Sequence, residues 1–252
     1  MNNQLNTFIK RYTIISDLHL GHTLRSSGAV IDVQSTLNYA QLKSVVGLDR
    51  ALAGFIDTLL AELEQNADNC ALVLNGDVFD FLHVDIRPTV DTFAKPPIDG
   101  SEEDVYGLSF EVSRSRWKLA LIAKLHRKAL KALARFVNHG GRLIFTVGNH
   151  DVDLCFPEVQ TDLRQYLATY LDDESREESH ILIESWFHMS QPIVYIEHGH
   201  RFDPYTTFPD PIEPTSNVSA AQLAPNFAHF GLRYFSNRVP SFPLHDLSLI
   251  HI

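Results

Sequence analysis

Residues 142–151, with the sequence RLIFTVGNHD, join a run of apolar residues to three polar side chains. The apolar part, 142–147, predicts a buried β-strand. A glycine then ends the strand, and Asn149, His150 and Asp151 follow it directly. An amide, an imidazole and a carboxylate can bind metal or transfer protons. Open α/β sheets bind their ligands at the carboxyl ends of strands, so this segment predicts both a strand and part of a site.

Two other apolar runs end in the same way. Residues 12–16 (YTIIS) precede Asp17 and His19, and residues 71–74 (ALVL) precede a turn that contains Asp77. Because the pattern recurs, we expect these polar side chains to meet at one edge of a sheet.

Segments with helical spacing of apolar residues separate these runs. Amphipathic helices are predicted at 48–63, at 114–138 and from Val159 to Tyr170. Strands that alternate with helices are typical of βαβ units and a parallel sheet. We therefore predict an α/β fold.

A further pair of strands is predicted at 181–189 and 192–197, joined by a turn at Ser190-Gln191. The second strand ends in His198-Gly199-His200, which adds imidazoles to the expected site.

Three segments interrupt this pattern. Residues 21–43 predict a loop with at most a short helix, and residues 84–113 predict a long irregular insertion. Prolines cluster after 203, and an aromatic helical stretch is predicted at about 218–237. We expect a core at 11–203 and a lid or incomplete C-terminal part at 204–252.

The composition and charge argue against several classes of protein. With 31 acidic and 21 basic residues the formal net charge is -10, which argues against a general nucleic-acid-binding protein. Two cysteines are too few for a disulfide framework. The start lacks a signal peptide, and no apolar run approaches the ~20 residues of a membrane span, so we expect a cytoplasmic protein.

The helix predicted at 114–138 carries basic residues along one side. A solvated face is the simpler interpretation, and contact with an anion or with a membrane surface stays open.

The polar strand ends suit divalent metal. Carboxylate, amide and imidazole ligands without thiolate favour manganese, iron, zinc or magnesium. Residues two apart in a strand share a face, so Asp17 and His19 are expected to reach one ion. Asp77 can approach two ions, and two ions about 3.5–4 Å apart would clamp both oxygens of a displacement at phosphorus.

Four motifs resemble those of the calcineurin-like metallophosphoesterases: DLH at 17–19, GDVFD at 76–80, GNHD at 148–151 and HG at 198–199. The resemblance extends over about 12–203. It implies a four-layer β-sandwich flanked by helices, with a helical lid insertion near the C-terminus.

The resemblance also implies a ligand set for two divalent ions. Asp17, His19 and Asp77 would hold one ion, Asp77 would bridge, and Asn149 and His198 would hold the second.

The mechanism expected from such a centre is attack on phosphorus by a metal-bridging hydroxide. Asn149 would help to neutralise charge on the phosphoryl oxygens, and His150 would protonate the leaving group as general acid. Asp151 is expected to orient that imidazole, and Asp80 to steady His19. Helix capping is the alternative for both aspartates.

One motif departs from the family. The later G-H-x-H that completes both metal shells is absent, since residues 199–202 contain only its first half. We interpret His198 as the ligand of the fourth motif. We then expect that the chain ends inside the lid before the last ligands, or that histidines such as His229 or His245 replace them. A site without two ligands should bind its ions more weakly.

Within the family, the C-terminal segment is similar to the lid of bacterial UDP-2,3-diacylglucosamine hydrolases. That likeness implies a phosphorylated small molecule or a lipid-like nucleotide-sugar substrate. The lid residues expected to contact it are Phe227, Phe230, Arg233, Tyr234, Phe235 and Arg238.

These observations favour a metal-dependent hydrolase of phosphoester or pyrophosphate bonds. The alternative from another class is a metal-poor binding or scaffold protein on the same fold. A nuclease is less favoured, because the chain is acidic and lacks a basic, aromatic-lined groove.

Overall fold

The computed structural model describes residues 9–22, 39–84, 100–190, 194–210, 213–216 and 219–236. Over these residues the chain is mixed α/β, and a four-stranded parallel sheet lies at its centre, as the sequence predicts. The strands stand in chain order: β1 (Arg11–Ile15), β2 (Cys70–Asn75), β3 (Arg142–Thr146) and β4 (Ile181–Glu184).

The register of the sheet brings three strand ends together. Ile15 of β1 lies beside Leu74 of β2, and Asn75 of β2 lies beside Thr146 of β3. The loops that follow β1, β2 and β3 therefore start at the same edge. We call this edge the rim.

Helices accompany the sheet, and four of them cover one of its faces. The helices are α1 (Tyr39–Glu62), α2 (Gly100–Tyr106), α3 (Val112–Leu125), α4 (Arg127–Asn138), α5 (Pro157–Ala168) and α6 (Arg176–His180). Leu72, Leu74 and Phe145 of the sheet belong to one buried cluster with side chains of α1, α3, α4 and α5. Crossovers between parallel strands are right-handed as a rule, and strands added in one direction then carry their helices on the same side of the sheet.

An antiparallel hairpin packs on the other face. It consists of β5 (Phe187–Ser190) and β6 (Val194–Glu197). Ile196 of β6 forms a second buried cluster with Ala71, Val73 and Ile144, the sheet residues that alternate with those of the larger core.

The strand predicted at 181–189 is in fact two strands. β4 pairs in parallel with β3, whereas β5 belongs to the hairpin on the opposite layer. The chain has to turn between them, at Ser185 and Trp186, to change layers. Residue 191 of the predicted turn lies outside the described residues.

Two helix predictions also need correction. The helix predicted at 114–138 is interrupted at His126, between α3 and α4. α1 begins at Tyr39, inside the segment 21–43, for which the sequence predicts a loop with at most a short helix. It is longer than the predicted helix at 48–63. Residues 23–38 lie outside the described residues.

The aromatic helix predicted at 218–237 begins as a strand. β8 (Ser219–Leu223) pairs with β7 (Thr215–Ser216), and the N–H of its buried Leu223 donates to the carbonyl oxygen of Phe110. A short helix, α7 (Phe227–Phe230), and a π-helical turn at Gly231–Ser236 follow. The insertion at 84–113 contains α2 and the start of α3, and its residues 85–99 are not described.

The basic side of the helix predicted at 114–138 is only partly solvated. Arg114 and Lys118 are buried, and Arg114 Nε lies 2.9 Å from Glu103 Oε1.

Among the described residues, none of the helices combines the length and the apolar character needed to cross a membrane. Cys70 and Cys155 are both free thiols.

Candidate metal centre at the rim

Three acidic and imidazole side chains of the rim project from left-handed backbone. The φ angles are 57° at Asp17, 46° at His19 and 52° at Asp77. β1 ends at Ile15, so the expectation that strand alternation aligns Asp17 and His19 is wrong. Positive φ bends the chain beyond the strand end and turns both side chains toward the neighbouring loop. Non-glycine residues adopt such angles at a cost of order 1–3 kcal/mol each, which the surrounding structure must offset.

Backbone hydrogen bonds between the two loops hold this conformation. Asp17 N–H donates to the Gly76 carbonyl at 3.2 Å, and His19 N–H donates to the Asp77 carbonyl at 2.9 Å. Leu20 N–H donates to the Val78 carbonyl at 2.9 Å. Backbone hydrogen bonds therefore continue between the loops after β1 and β2, beyond the end of the sheet.

Two motif glycines permit close approach at the rim. A β-carbon at Gly76 would overlap the imidazole of His198, and one at Gly148 would overlap the side chain and N–H of Asp77. Gly76 also has a φ of +75°, which glycine adopts without strain. The glycines allow the strand ends to converge on Asp77.

Asp77 lies at the centre of the polar groups. It is buried, and its Oδ1 accepts a hydrogen bond from His150 N–H at 2.8 Å. Its Oδ2 lies 3.4 Å from His198 Nε2 and 3.9 Å from His19 Nε2. Asp17 Oδ1 also lies 3.9 Å from His19 Nε2. One carboxylate thus faces imidazoles that come from two distant parts of the sequence.

The second nitrogen of each imidazole lies beside an oxygen acceptor. His198 Nδ1 donates to the Asn75 carbonyl at 2.8 Å, and His19 Nδ1 lies 3.4 Å from Asp80 Oδ2. Both rings therefore present Nε2 to Asp77. This arrangement is typical of metal-ligating histidines, whose other nitrogen bonds a carbonyl or carboxylate.

Two groups of potential ligands share Asp77. Ligand atoms of Asp17, Asp77 and His198 lie within 4.8 Å of one another, and so do those of His19, Asp77 and His150. The resemblance implies Asp17 and His19 on one ion, and their ligand atoms also lie 3.9 Å apart. Oxygen and imidazole donors at this spacing fit a hard or borderline divalent ion.

A second buried carboxylate, Asp80, gathers three imidazoles. Its Oδ1 lies 3.1 Å from His150 Nδ1, and its Oδ2 bonds His83 Nδ1 and faces His19 Nδ1. Burial alone would raise the pKa of Asp80, but the charges of His83 and His150 outweigh it and hold the pKa well below its ordinary value. Asp80, His83 and His150 form a third group of potential ligands.

His83 is a member of the site that the sequence pattern does not predict. Its signal is weak: an imidazole three residues beyond Asp80, where the chain still follows the β2 loop. The backbone N–H and the Nδ1 atom of His83 both hydrogen-bond the Asp80 carboxylate. The spacing of three residues allows both bonds to form.

Asp151 does not orient His150, contrary to the prediction. Its Oδ1 accepts from Gly148 N–H at 2.7 Å, and its Oδ2 accepts from Val78 N–H at 2.7 Å and from Phe79 N–H at 3.3 Å. Both oxygens of the Asp151 carboxylate accept hydrogen bonds from backbone N–H groups of two loops. The imidazole of His150 bonds Asp80 instead. Asp151 also makes no capping bond to the 3₁₀ turn that follows it.

Burial and neighbouring charges shift the pKa values of Asp151, His150 and His198. Burial, followed by the charge of Asp77, raises the pKa of Asp151 to about 6. Burial lowers the pKa of His150 and His198, but nearby carboxylates outweigh it and raise both to about 9. Asp80 and Asp77 act on His150, and Asp77 on His198. The carboxylates of the rim therefore stabilise positive charge on the neighbouring imidazoles.

The remaining predicted residues are placed as follows. Asn149 is buried at the rim between Gly148 and His150. His229 is fully buried, with Nδ1 bonded to Asn226 Oδ1 at 2.7 Å, and burial lowers its pKa to about 3. Within the described residues His229 joins none of the potential ligand groups. His245 lies outside the described residues.

Comparisons with protein-family models, with curated proteins and with solved structures give no match for this chain. Functional inference therefore rests on the residues and their geometry.

Proposed function

We propose that this chain is a dinuclear, metal-dependent hydrolase of phosphoester or phosphoanhydride bonds, with a metallophosphoesterase-like sandwich fold. The observation that carries the proposal is the position of Asp77. Its Oδ2 lies between the Nε2 atoms of His19 and His198, while Asp17 completes the same cluster.

The donor set is suited to metal in three respects. The donors are carboxylate oxygens and imidazole nitrogens, the Nε2 atom of His198 is directed by a hydrogen bond at Nδ1, and Asp77 is shared by two ligand groups. We assign Asp17, His19, Asp77, Asn149 and His198 as ligands. When bound, divalent ions would supply a nucleophile near neutral pH and offset charge on the phosphoryl oxygens.

His150 is the proposed general acid. Its Nδ1 donates to Asp80, which leaves Nε2 for the oxygen of the leaving group. Asp80 and Asp77 raise the pKa of His150 to about 9 against the effect of burial, so the ring carries a proton at neutral pH. Asp80 then stabilises the imidazolium, as carboxylates do in catalytic dyads.

One observation favours the second candidate, a metal-poor binding protein. Within the described residues the ligand groups contain three members each, and the sequence has no G-H-x-H. Such a protein would bind phosphorylated molecules at the rim without hydrolysing them.

The test is metal-dependent turnover. The full chain is stripped with a chelator, reloaded with Mn²⁺ or Zn²⁺, and assayed with p-nitrophenyl phosphate and bis-p-nitrophenyl phosphate. We expect activity that depends on the added metal. A chain that binds neither metal and turns over neither substrate would favour the binding protein.

Variants divide the roles of ligand and acid. His150→Ala should lower turnover by about 10²–10⁴-fold while metal content is retained. Asp77→Asn should lose both metal and activity. Glu174→Gln, the same type of change at an exposed position, is the control and should behave like the unmodified chain. Loss of metal in His150→Ala would make His150 a ligand, and full metal in Asp77→Asn would contradict the bridging role.

A further inference from the structure

A buried histidine–aspartate pair lies outside the rim. His126 and Asp49 are 1 % and 3 % exposed, and His126 Nδ1 lies 2.7 Å from Asp49 Oδ1. Asp49 belongs to α1, and His126 is the residue at which α3 and α4 are interrupted. The pair therefore joins two helices inside the core.

The other face of this imidazole contacts the loop after β1. Gly21 N–H donates to His126 Nε2 at 3.1 Å. A backbone N–H can only donate, so Nε2 is the acceptor and the ring proton resides on Nδ1, where it bonds Asp49. Asp49 thus selects the tautomer that can receive Gly21.

Packing reinforces this contact. Gly21 has a φ of +107°, and a β-carbon there would overlap the side chain of Ile122. Ile122 and His126 are four residues apart at the end of α3, where side chains share a helix face. The end of α3 therefore forms a surface against which the loop rests.

The same loop carries two proposed metal ligands. Gly21 follows His19 by two residues and Asp17 by four, and both of these have positive φ. The β2 loop holds one side of this segment, through Leu20 N–H to Val78 and Asp80 N–H to Leu20. Gly21 is held from the opposite side by His126.

We propose that His126, fixed in one tautomer by Asp49, is a positioning residue that sets the loop of Asp17 and His19 for metal binding. The inference rests on the proposed metal-binding function and identifies what supports the first ligand loop. It also gives the interruption of the helix at His126 a reason, since the ring has to reach Asp49 and Gly21 together.

Two amide variants separate the two contacts. His126→Asn keeps a donor near the position of Nδ1 for Asp49 but cannot reach Gly21. His126→Gln places its side-chain oxygen farther out, where it can accept from Gly21. A purely structural role would make both variants alike, whereas a positioning role makes them differ.

The measurements are Mn²⁺ affinity by calorimetry on the stripped full chain and hydrogen exchange of the segment 17–22 in the metal-free chain. His126→Asn should weaken Mn²⁺ binding by about 10–100-fold, the usual effect of removing support from a metal ligand. It should also speed exchange of the segment, and His126→Gln should restore both toward the unmodified values.

Leu133→Ala is the control for stability. Leu133 is fully buried in α4, about two turns beyond His126. This variant should unfold at lower urea concentration and still bind Mn²⁺ with unchanged affinity. If His126→Asn leaves affinity and exchange unchanged, or if His126→Gln or Leu133→Ala is equally damaging, the positioning role is overturned. If the unmodified chain binds no Mn²⁺, the proposed function fails, and hydrogen exchange alone still decides whether His126 holds the loop.

Discussion

Two buried aspartates of the rim, Asp80 and Asp151, have opposite surroundings. Asp80 contacts the imidazoles of His19, His83 and His150, whereas Asp151 accepts hydrogen bonds from backbone N–H groups alone. Partner charges hold the pKa of Asp80 low in spite of its burial. For Asp151, burial and then Asp77 raise the pKa to about 6.

This difference shows that residue type and position near a strand end do not define the role of an aspartate. Cationic rings stabilise an ionised carboxylate, so Asp80 is placed to control where protons and ring nitrogens lie. Backbone donors tie loops together, so Asp151 is placed to control the shape of the rim. One aspartate should govern chemistry and the other stability.

The largest expected effect is on catalysis. Asp80→Asn should lower kcat by about 10²–10⁴-fold, because His150 loses the charge that keeps it protonated. The loss should be greater for alkyl phosphates than for p-nitrophenyl phosphate, since a poor leaving group depends more on a general acid. Steady-state kinetics with both substrates measure this. An equal loss for both would show that Asp80 acts only on structure.

Asp151→Asn should instead act on stability. The amide group would face N–H donors, and we expect a loss of about 2 kcal/mol in the free energy of unfolding. Thermal unfolding should show a Tm lower by about 4–8 °C. The ratio between the two substrates should stay unchanged. An unaltered Tm would contradict the role of Asp151 as a link between loops.

The metal-free rim should lose stability at alkaline pH. Carboxylates raise the pKa of His150 and His198 to about 9 against burial, above the ordinary value of 6.5. The folded state then binds more protons than the unfolded state between these values. The stabilisation is complete below pH 6.5 and is lost as pH rises through 9, and the loss is about 3 kcal/mol for each histidine.

Urea unfolding in chelator at pH 6.5 and at pH 9 measures this loss, and His198→Gln should reduce it. Metal affinity should change in the opposite direction, because binding displaces protons from the histidines and becomes tighter as pH rises. Stability of the metal-free chain that is flat across this range would contradict the placement of protonated imidazoles beside Asp77 and Asp80.

The smallest effect is expected at His83. His83→Leu removes one donor from Asp80 but leaves the bond to His150, so kcat should fall by about tenfold or less. His83→Asn, which keeps a donor near Nδ1, should restore activity. A loss as large as that of Asp80→Asn would mean that His83 itself transfers the proton.

Much of the fold could be predicted because local patterns agree with it. The runs before Asp77 and Asn149 are buried strands, and the run before Asp17 is a partly exposed strand at the edge of the same sheet. Their alternation with helices is enough to predict a parallel sheet. The change of layer at Ser185 and the strand at Ser219–Leu223 depend on distant pairing partners, and the sequence carries no local signal for either.

The site was predictable in its members but less so in their connections. Spacing identified Asp17, His19, Asp77 and His198 as potential ligands, and the structure brings their ligand atoms together. The partners of Asp80 and Asp151 could not be predicted, because a carboxylate bonds whichever donors the folded loops place beside it. The left-handed turns at Asp17 and His19 were missed since neither residue is glycine.

The most direct measurement is an anomalous difference map from crystals of the full chain grown with Mn²⁺. We predict two peaks that share Asp77, each about 2.0–2.3 Å from one of its carboxylate oxygens, with His19 at one ion and His198 at the other. A map with no peak near Asp77, at Mn²⁺ concentrations that support full activity, would contradict the central claim that the rim is a dinuclear metal centre.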